Sequence, residues 1–430
     1  MVRNFKVIMF FKIIYFIGER IRNPSIRSIY TFLKKSESWT LEDLEKYQFK
    51  KLKELLVFAN QHSPYYTQKL KNLDIKDIQS LLDIEKIPIL EKKDLHLYKD
   101  KIQSNYIFKN CKKATTSGTS GNSLQFYRDE FADSFNRASI LRGYSWFDVK
   151  IWEKNGYFWG FDFSFFNKLK TSFLDFLQHR FRLFSFNEKN QSAFVKKLKY
   201  ATYLHGYSSM IYETAKFINE KNLPKPSKLK MVKGTSEKIL NSYQKEVEKA
   251  FGLKIINEYG ATESGIIAFE CKKGNMHLNM ESCIVEEIEN EIIVTNLQMK
   301  SFPIIRYKLG DYIKLSSKKC DCGLQHKILE EVTGRVGNTI FGKHKIYPSL
   351  TFYYVFKNLE KLGISLSYQI IQNKKGEINM YIEQNLSGFE NNLLQKEMVK
   401  YFDDDLDYLI VENCSLKTTD KKQVSFISNI

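Results

Sequence analysis

The chain is short of several things, and each shortage removes a class of protein. Six cysteines among 430 residues are too few and too scattered for the disulfide framework of small secreted domains. There is no arginine-rich tract and no nucleic-acid motif, although 67 Lys plus Arg against 49 Asp plus Glu give a formal charge of +18. The lysines are spread along the whole length, so the excess reads as solvated surface and as affinity for phosphate-rich small molecules, not for nucleic acid. Internal repeats and low-complexity segments are missing. No apolar run is long enough to cross a bilayer. The nearest, within residues 1–22, is interrupted by Lys12 and meets Glu19 and Arg20 with no small-residue cleavage site before them. Two placements fit it equally. One is an amphipathic helix on the inner membrane face, with Lys6 and Lys12 flanking Phe10, Phe11, Ile13 and Ile14; the other is a helix packed on the main domain. The expected location is cytoplasmic.

What remains is enough to bury a large core. Hydrophobic residues make up 43% of the chain and aromatics 14%, which argues against disorder away from the two ends. The length exceeds one core and predicts two or three subdomains. Leu41, Leu44, Leu52, Leu55 and Leu56 recur at helical spacing, predicting a helix over 38–60 that Ser38 or Thr40 caps and HSPYY at 62–66 breaks. A second helix is expected from about Asp129 and a third over 238–251, ending at Gly252. LKIINEYG then reads as a short strand, and 283–296 as a hairpin turning near Asn290. The alternation in 157–166, YFWGFDFSFF, suits a strand beside a pocket. Helices alternating with short strands predict an α/β fold: a large body of mixed sheets and helices over 38–334, after an amphipathic segment at 1–37. Gly334, Gly337 and Gly342 mark a hinge to a small, mobile α+β domain at 335–430.

The densest Ser/Thr/Gly cluster is Thr115-Thr116-Ser117-Gly118-Thr119-Ser120-Gly121-Asn122. Backbone N–H groups and hydroxyls at such spacing can surround an anion, and glycine lets the backbone approach it. No Lys-Ser or Lys-Thr pair closes the loop, so it is not a Walker loop.

In its order of residues the segment resembles the phosphate-binding loop of the acyl-adenylate-forming superfamily, which includes acyl-CoA synthetases, luciferases and peptide-synthetase adenylation domains. Further motifs follow in that superfamily's order. Gly234-Thr235-Ser236-Glu237 is similar to its adenine-binding turn. Tyr259-Gly260-Ala261-Thr262-Glu263 resembles its YGxTE signature, which implies stacking of Tyr259 on adenine, contact of Thr262 with the α-phosphate and Mg²⁺ binding by Glu263. Those roles suit the chemistry: a hard cation takes a carboxylate, and a flat base takes a π-face. Arg306-Tyr307-Lys308-Leu309-Gly310-Asp311 resembles the RYRTGD strand and implies that Asp311 holds the ribose diol. Gly334-Arg335 falls at the hinge, where the family's arginine reaches the nucleotide. Near the end, the resemblance places Lys422 at the catalytic lysine that bridges carboxylate and α-phosphate, with Lys421 as the fallback. Three positions depart from the pattern: Asn122 where Lys or Arg is usual, with Lys112 or Lys113 as a replacement, Gly337 for the hinge Asp, and Lys421 for a glycine.

From about residue 38 the chain resembles phenylacetate–CoA ligase-like and capsular polysaccharide CapK-like proteins, through TLEDLEKYQFKKLKELLVFANQHSPYY and through the Cys-x-Cys-Gly after the Gly-Asp motif. The resemblance implies an enzyme that activates a carboxylic acid with ATP and Mg²⁺ and passes the acyl group to coenzyme A, a carrier thiol, or a sugar or amine. A role in surface polysaccharide biosynthesis comes with it, and a homodimer is a further expectation. The competing reading is a scaffold subunit of a polysaccharide machine that keeps the fold without turnover. Cys271, His277, Cys320 and Cys322 form a ligand set suited to tetrahedral Zn²⁺, and some ligases of this group look to carry zinc at corresponding positions. Cys283, on a strand pattern, is expected in the core.

Overall fold

In a computed structural model, residues 2–116, 124–158, 165–184, 188–335, 339–348, 350–416 and 425–430 are described. The predicted first body helix runs Leu41–His62. Thr40 caps it: its hydroxyl accepts from the Asp43 N–H at 3.1 Å, and the Asp43 carboxylate accepts from the Thr40 N–H at 3.2 Å. The break follows at Ser63, where Pro64 opens a short second helix to Lys69. Asp129 caps the helix Glu130–Trp146 by accepting from the Ala132 N–H.

Two expectations need correction. The third helix spans Asn241–Phe251, three residues later than predicted. The preceding turn takes up residues 236–240, with Ser236 at φ +67°. The aromatic alternation at 157–166 is strand only as far as Phe158, and Phe165 and Phe166 open the helix Phe165–Leu177. Residues 159–164 lie outside the described part.

Strands β1 (Cys111–Thr115) and β2 (Gln125–Asp129) form a hairpin. The body is built on one large mixed sheet. Its parallel part consists of β3 (Asn155–Phe158), β4 (Arg180–Arg182), β5 (Tyr203–Tyr207), β6 (Met231–Thr235) and β7 (Ile255–Ala261). Antiparallel strands continue it: β8 (Gly265–Glu270), β9 (Met276–Leu278), β10 (Cys283–Ile288), β11 (Glu291–Asn296), β12 (Tyr307–Ser316) and β13 (Ile328–Arg335). The spatial order is β10-β11-β12-β13-β9-β8-β7-β6-β5-β3-β4. The hairpin expected at 283–296 is β10–β11. Glu289 and Asn290 turn it with φ of +52° and +64°, the backbone that a two-residue hairpin loop requires.

Separate cores lie within the body. One packs the helix Leu41–His62 on β8–β12 and contains Cys283, whose thiol is pushed up to about 12 by burial. Another packs the helices Ser208–Glu220 and Asn241–Phe251 on β5–β7. Beyond β13 come the pair β14 (Thr339–Phe341) and β15 (Ile346–Pro348), then β16 (Tyr368–Lys374), β17 (Glu377–Ile382), β18 (Asp407–Val411) and β19 (Phe426–Ser428). The last four form a sheet in the order β18-β17-β16-β19, covered by the helices Leu350–Lys361 and Gly388–Phe402 over a core of their own. The C-terminal part meets the body through polar contacts: Glu383 accepts from Tyr212 at 2.8 Å and pairs with Lys216 at 2.6 Å, while Lys357 pairs with Glu331 at 2.6 Å. Polar contacts of this kind suit an interface that opens and closes.

Candidate active site

The β1–β2 hairpin presents the phosphate-loop segment. Thr116 and Leu124 close its neck with two hydrogen bonds of 2.9 Å. Ser117, Gly118, Thr119, Ser120, Gly121 and Asn122 themselves lie outside the described residues. Lys112 does not replace the cation missing at Asn122. Its ammonium is engaged at the other end of the hairpin, by Asp133 and the Arg22 carbonyl, each at 2.8 Å. Lys113 is exposed. A cavity of about 420 Å³ opens beside Asn110 and Asp129 at that far end, and no described motif residue lines it.

The adenine-type turn follows β6. A side chain at Gly234 would put a Cβ 2.4 Å from the Ser208 hydroxyl, so the turn packs against the start of the helix Ser208–Glu220 only with glycine there. The Glu237 carboxylate fastens the turn to the same helix by accepting from the Ser209 N–H at 2.8 Å. Thr235 donates to the Glu258 carbonyl at 3.3 Å, tying the turn to β7.

At the end of β7, Gly260 lets the chain fold back into β8, since a Cβ there would meet the Gly265 carbonyl at 2.4 Å. The Tyr259 hydroxyl donates to the Asp311 carboxylate at 2.7 Å. These residues belong to strands four places apart, about 19 Å across a flat sheet at the usual strand spacing. The contact therefore requires the sheet to curl. Asp311 also stands opposite Arg335 in the β12–β13 register. The curl thus brings three motif positions, Tyr259, Asp311 and the Arg335 backbone, together.

Sequence reasoning missed Arg128. It lies on β2, largely buried, and its guanidinium donates to the Thr262 carbonyl while facing Asp133 at 3.6 Å. Burial lowers its pKa against the pull of Asp133, and Glu263 is among the charges acting on it. Arg128 thereby links the phosphate-loop hairpin to the Thr262–Glu263 turn. Also missed was a buried ion pair, Lys233–Glu258 at 2.6 Å, one residue before Gly234 and Tyr259 respectively. Neither has a local sequence signature. Lys421 and Lys422 lie outside the described residues.

The four proposed zinc ligands converge: their ligand atoms all lie within 4.8 Å of one another. Cys271 Sγ is 3.7 Å from Cys320 Sγ, and Cys322 Sγ is 3.2 Å from His277 Nε2. Thiolates bound to zinc at about 2.3 Å in a tetrahedron stand about 3.8 Å apart, so the set fits the ion. The surroundings fit as well. His277 Nδ1 donates to the His326 carbonyl at 3.1 Å, which leaves Nε2 as the acceptor facing the thiols. The Asn275 amide donates to Cys320 Sγ at 3.1 Å, and the Lys273 N–H to Cys271 Sγ at 3.4 Å. It is the pairing of β13 with β9, Ile328 opposite His277, that closes the site; the β10–β11 hairpin alone does not. Purified protein is expected to hold about one zinc per chain. Cys322→Ser should lower metal content and melting temperature while ATP still binds, as elemental analysis and thermal unfolding would register. Protein kept reduced and unchelated yet free of zinc would rule the site out.

No family model matches the sequence. Among solved structures, 2-hydroxyisobutyryl-CoA ligase in its postadenylation state with 2-HIB-AMP superposes with a TM-score of 0.69 at 15% identity, covering 92% of each chain. The same ligase with 2-HIB-AMP and CoA in the thioesterification state gives 0.59 at 16% identity, over 92% of this chain and 91% of that one. The chain shares the fold of that ligase, with a large mixed-sheet body and a small C-terminal part. In sequence the chain is similar to Protein CapK of Staphylococcus aureus, 23% identical over 380 residues, 82% of this chain and 81% of that protein. Indoleacetate–lysine synthetase of Pseudomonas savastanoi is 32% identical over 90 residues, 20% of this chain and 22% of that one.

Proposed function

We propose that the chain is an AMP-forming acid–thiol ligase: it activates a carboxylic acid as an acyl-adenylate and transfers the acyl group to coenzyme A. The observation that carries this reading is the Tyr259–Asp311 hydrogen bond. It joins two nucleotide motifs 52 residues apart across a curled sheet. In the first step a carboxylate oxygen attacks the α-phosphorus of ATP, and pyrophosphate leaves. In the second the thiol attacks the acyl carbonyl, and AMP leaves. The protein's part is mostly positioning and charge neutralisation. Tyr259 and the turn Gly234–Glu237 hold adenine, Asp311 and Arg335 hold the ribose side, and Ser117–Gly121 with Thr262 hold the phosphates. Glu263 would hold Mg²⁺, which supplies positive charge to the phosphates. Zinc at Cys271, His277, Cys320 and Cys322 has a structural role. On the motif resemblance to capsular polysaccharide CapK-like proteins, the step is assigned to surface polysaccharide biosynthesis in the cytoplasm.

Asn122, Gly337 and Lys421 favour the alternative of a scaffold without turnover. Incubation with ATP, Mg²⁺, coenzyme A and a panel of acids, followed by mass spectrometry, separates the two. A ligase yields AMP and one acyl-CoA in equal amounts; a scaffold yields neither.

Lys422 provides a finer test. An ammonium that meets negative charge building between carboxylate and α-phosphate matters in the first step alone. Lys422→Ala should slow adenylation roughly a hundredfold, about 3 kcal/mol, with ATP affinity and thioester formation from preformed acyl-adenylate nearly unchanged. Lys421→Ala should leave both steps intact. Exchanged effects would assign the role to Lys421, and no effect in either would remove the tail from the mechanism.

A further inference from the structure

The helix Val2–Arg22 has one packed edge and one bare edge. On the packed edge Phe11 is buried, stacked on His179 at 3.9 Å and edge-on to Phe176 at 5.6 Å. Tyr15 and Phe16 meet Trp152 further along. On the opposite edge Phe10, Ile13, Ile17 and Ile21 follow one another at spacings of three and four, 52%, 52%, 56% and 79% exposed. Through Phe176 this helix touches the helix Phe165–Leu177, which is bare in the same manner: Leu169, Phe173 and Phe176 are 57%, 61% and 56% exposed. Two neighbouring helices thus present apolar stripes that no described residue covers.

The charges identify the occupant. Each helix contains one acidic residue, and both are turned inward: Glu19 is buried against Arg27 at 2.6 Å, and Asp175 against Arg182 at 2.9 Å and Arg180 at 3.2 Å. Among the described side chains, the charged groups left exposed on the two helices are Lys6, Arg20, Arg22 and Lys170, all basic. A second copy of the chain, joined about a two-fold axis, would set these cations against themselves. An anionic bilayer complements them and accepts the apolar stripes. No described helix is long and apolar enough to cross a membrane, so the fit is to the surface.

We propose that this two-helix face docks the protein on an anionic lipid bilayer. Phe10, Ile13, Ile17 and Phe173 enter the headgroup–acyl boundary, and Lys6, Arg20, Arg22 and Lys170 meet lipid phosphates. The proposal is independent of the ligase reading, because its readout is binding and needs no turnover. The test is flotation of the full chain with vesicles of phosphatidylcholine alone and with one third phosphatidylglycerol. Binding should be about tenfold or more tighter to the anionic vesicles, and should weaken as salt rises to about 0.5 M. Ile13→Asp with Ile17→Asp, and separately Phe173→Asp, should each weaken it about tenfold or more, with melting temperatures near the parent's. Equal binding to both vesicle types, or none, overturns the proposal. So does a Phe173→Asp variant that binds like the parent, since the second helix would then have no part. A soluble dimer that these substitutions convert to monomer, without vesicle binding, would make the face a contact between copies instead.

Discussion

Glu263→Gln is expected to bring acid-dependent pyrophosphate exchange down to background, a loss of about a thousandfold or more. The substitution keeps the side chain's shape, removes its charge and replaces one acceptor oxygen by a donor amide, and Mg²⁺ takes charged oxygen ligands in preference to neutral amides. Glu263 sits on the turn between β7 and β8, where Gly260 and the Arg128–Thr262 contact also hold the backbone in shape. The variant should therefore fold as the parent does and still bind ATP in the absence of metal. Circular dichroism and nucleotide titration in chelator check those two points. Exchange near the parent rate would remove Glu263 from the metal site and, with it, the YGxTE reading of residues 259–263.

The second large effect concerns stability. Glu281 is fully buried, and so is its partner Arg142, at 2.6 Å; His326 Nε2 stands 2.9 Å from the same carboxylate oxygen. Ser36 donates to that oxygen as well, and Arg142 reaches Asn279. The cluster joins the helix Ile26–Ser36, the helix Glu130–Trp146 and two loops flanking the zinc ligands. Burial alone would raise the pKa of Glu281, yet Arg142 and His326 hold it well below the usual carboxylate range. A depressed pKa contributes stability at neutral pH that is lost as pH falls below the unfolded value of about 4.3. Removing one partner leaves the other charge buried and unpaired, at a cost of about 3–5 kcal/mol. Glu281→Ala should lower the melting temperature by about 5 °C, and the difference from the parent should shrink in acid. A variant that melts with the parent at neutral pH would show that solvent reaches Arg142 and compensates it.

Local features of the fold were legible where chemistry and position coincide along the chain. Thr40 with Asp43 announces a helix start, and Glu289-Asn290 between two alternating runs announces a hairpin. The zinc ligands were legible by residue type, because three cysteines and a histidine in one stretch have few other uses. How they meet was not, since that depends on β13 returning beside β9, a register set by the whole antiparallel sheet. The aromatics at 157–166 misled because Phe161, Phe163 and Phe165 alternate with Asp162 and Ser164, while Phe165 followed directly by Phe166 begins a helix. The late start of the helix Asn241–Phe251 was hidden by Lys238 and Ile239, which suit a helix but belong to the turn after Ser236. Arg128 and the Arg142–Glu281–His326 cluster had no signature at all. Their partners lie 45 to 139 residues away, and only the folded sheet brings them together.

The nucleotide chemistry is reached most directly by one experiment: exchange of labelled pyrophosphate into ATP by the unmodified protein, with Mg²⁺, across a broad panel of carboxylic acids. Exchange should be absent without acid, appear with one acid or a narrow set of related acids, and vanish in Glu263→Gln. Protein that is folded, zinc-loaded and able to bind ATP, yet exchanges no label with any acid, would contradict the adenylating reading and leave a scaffold that has kept the ligase fold.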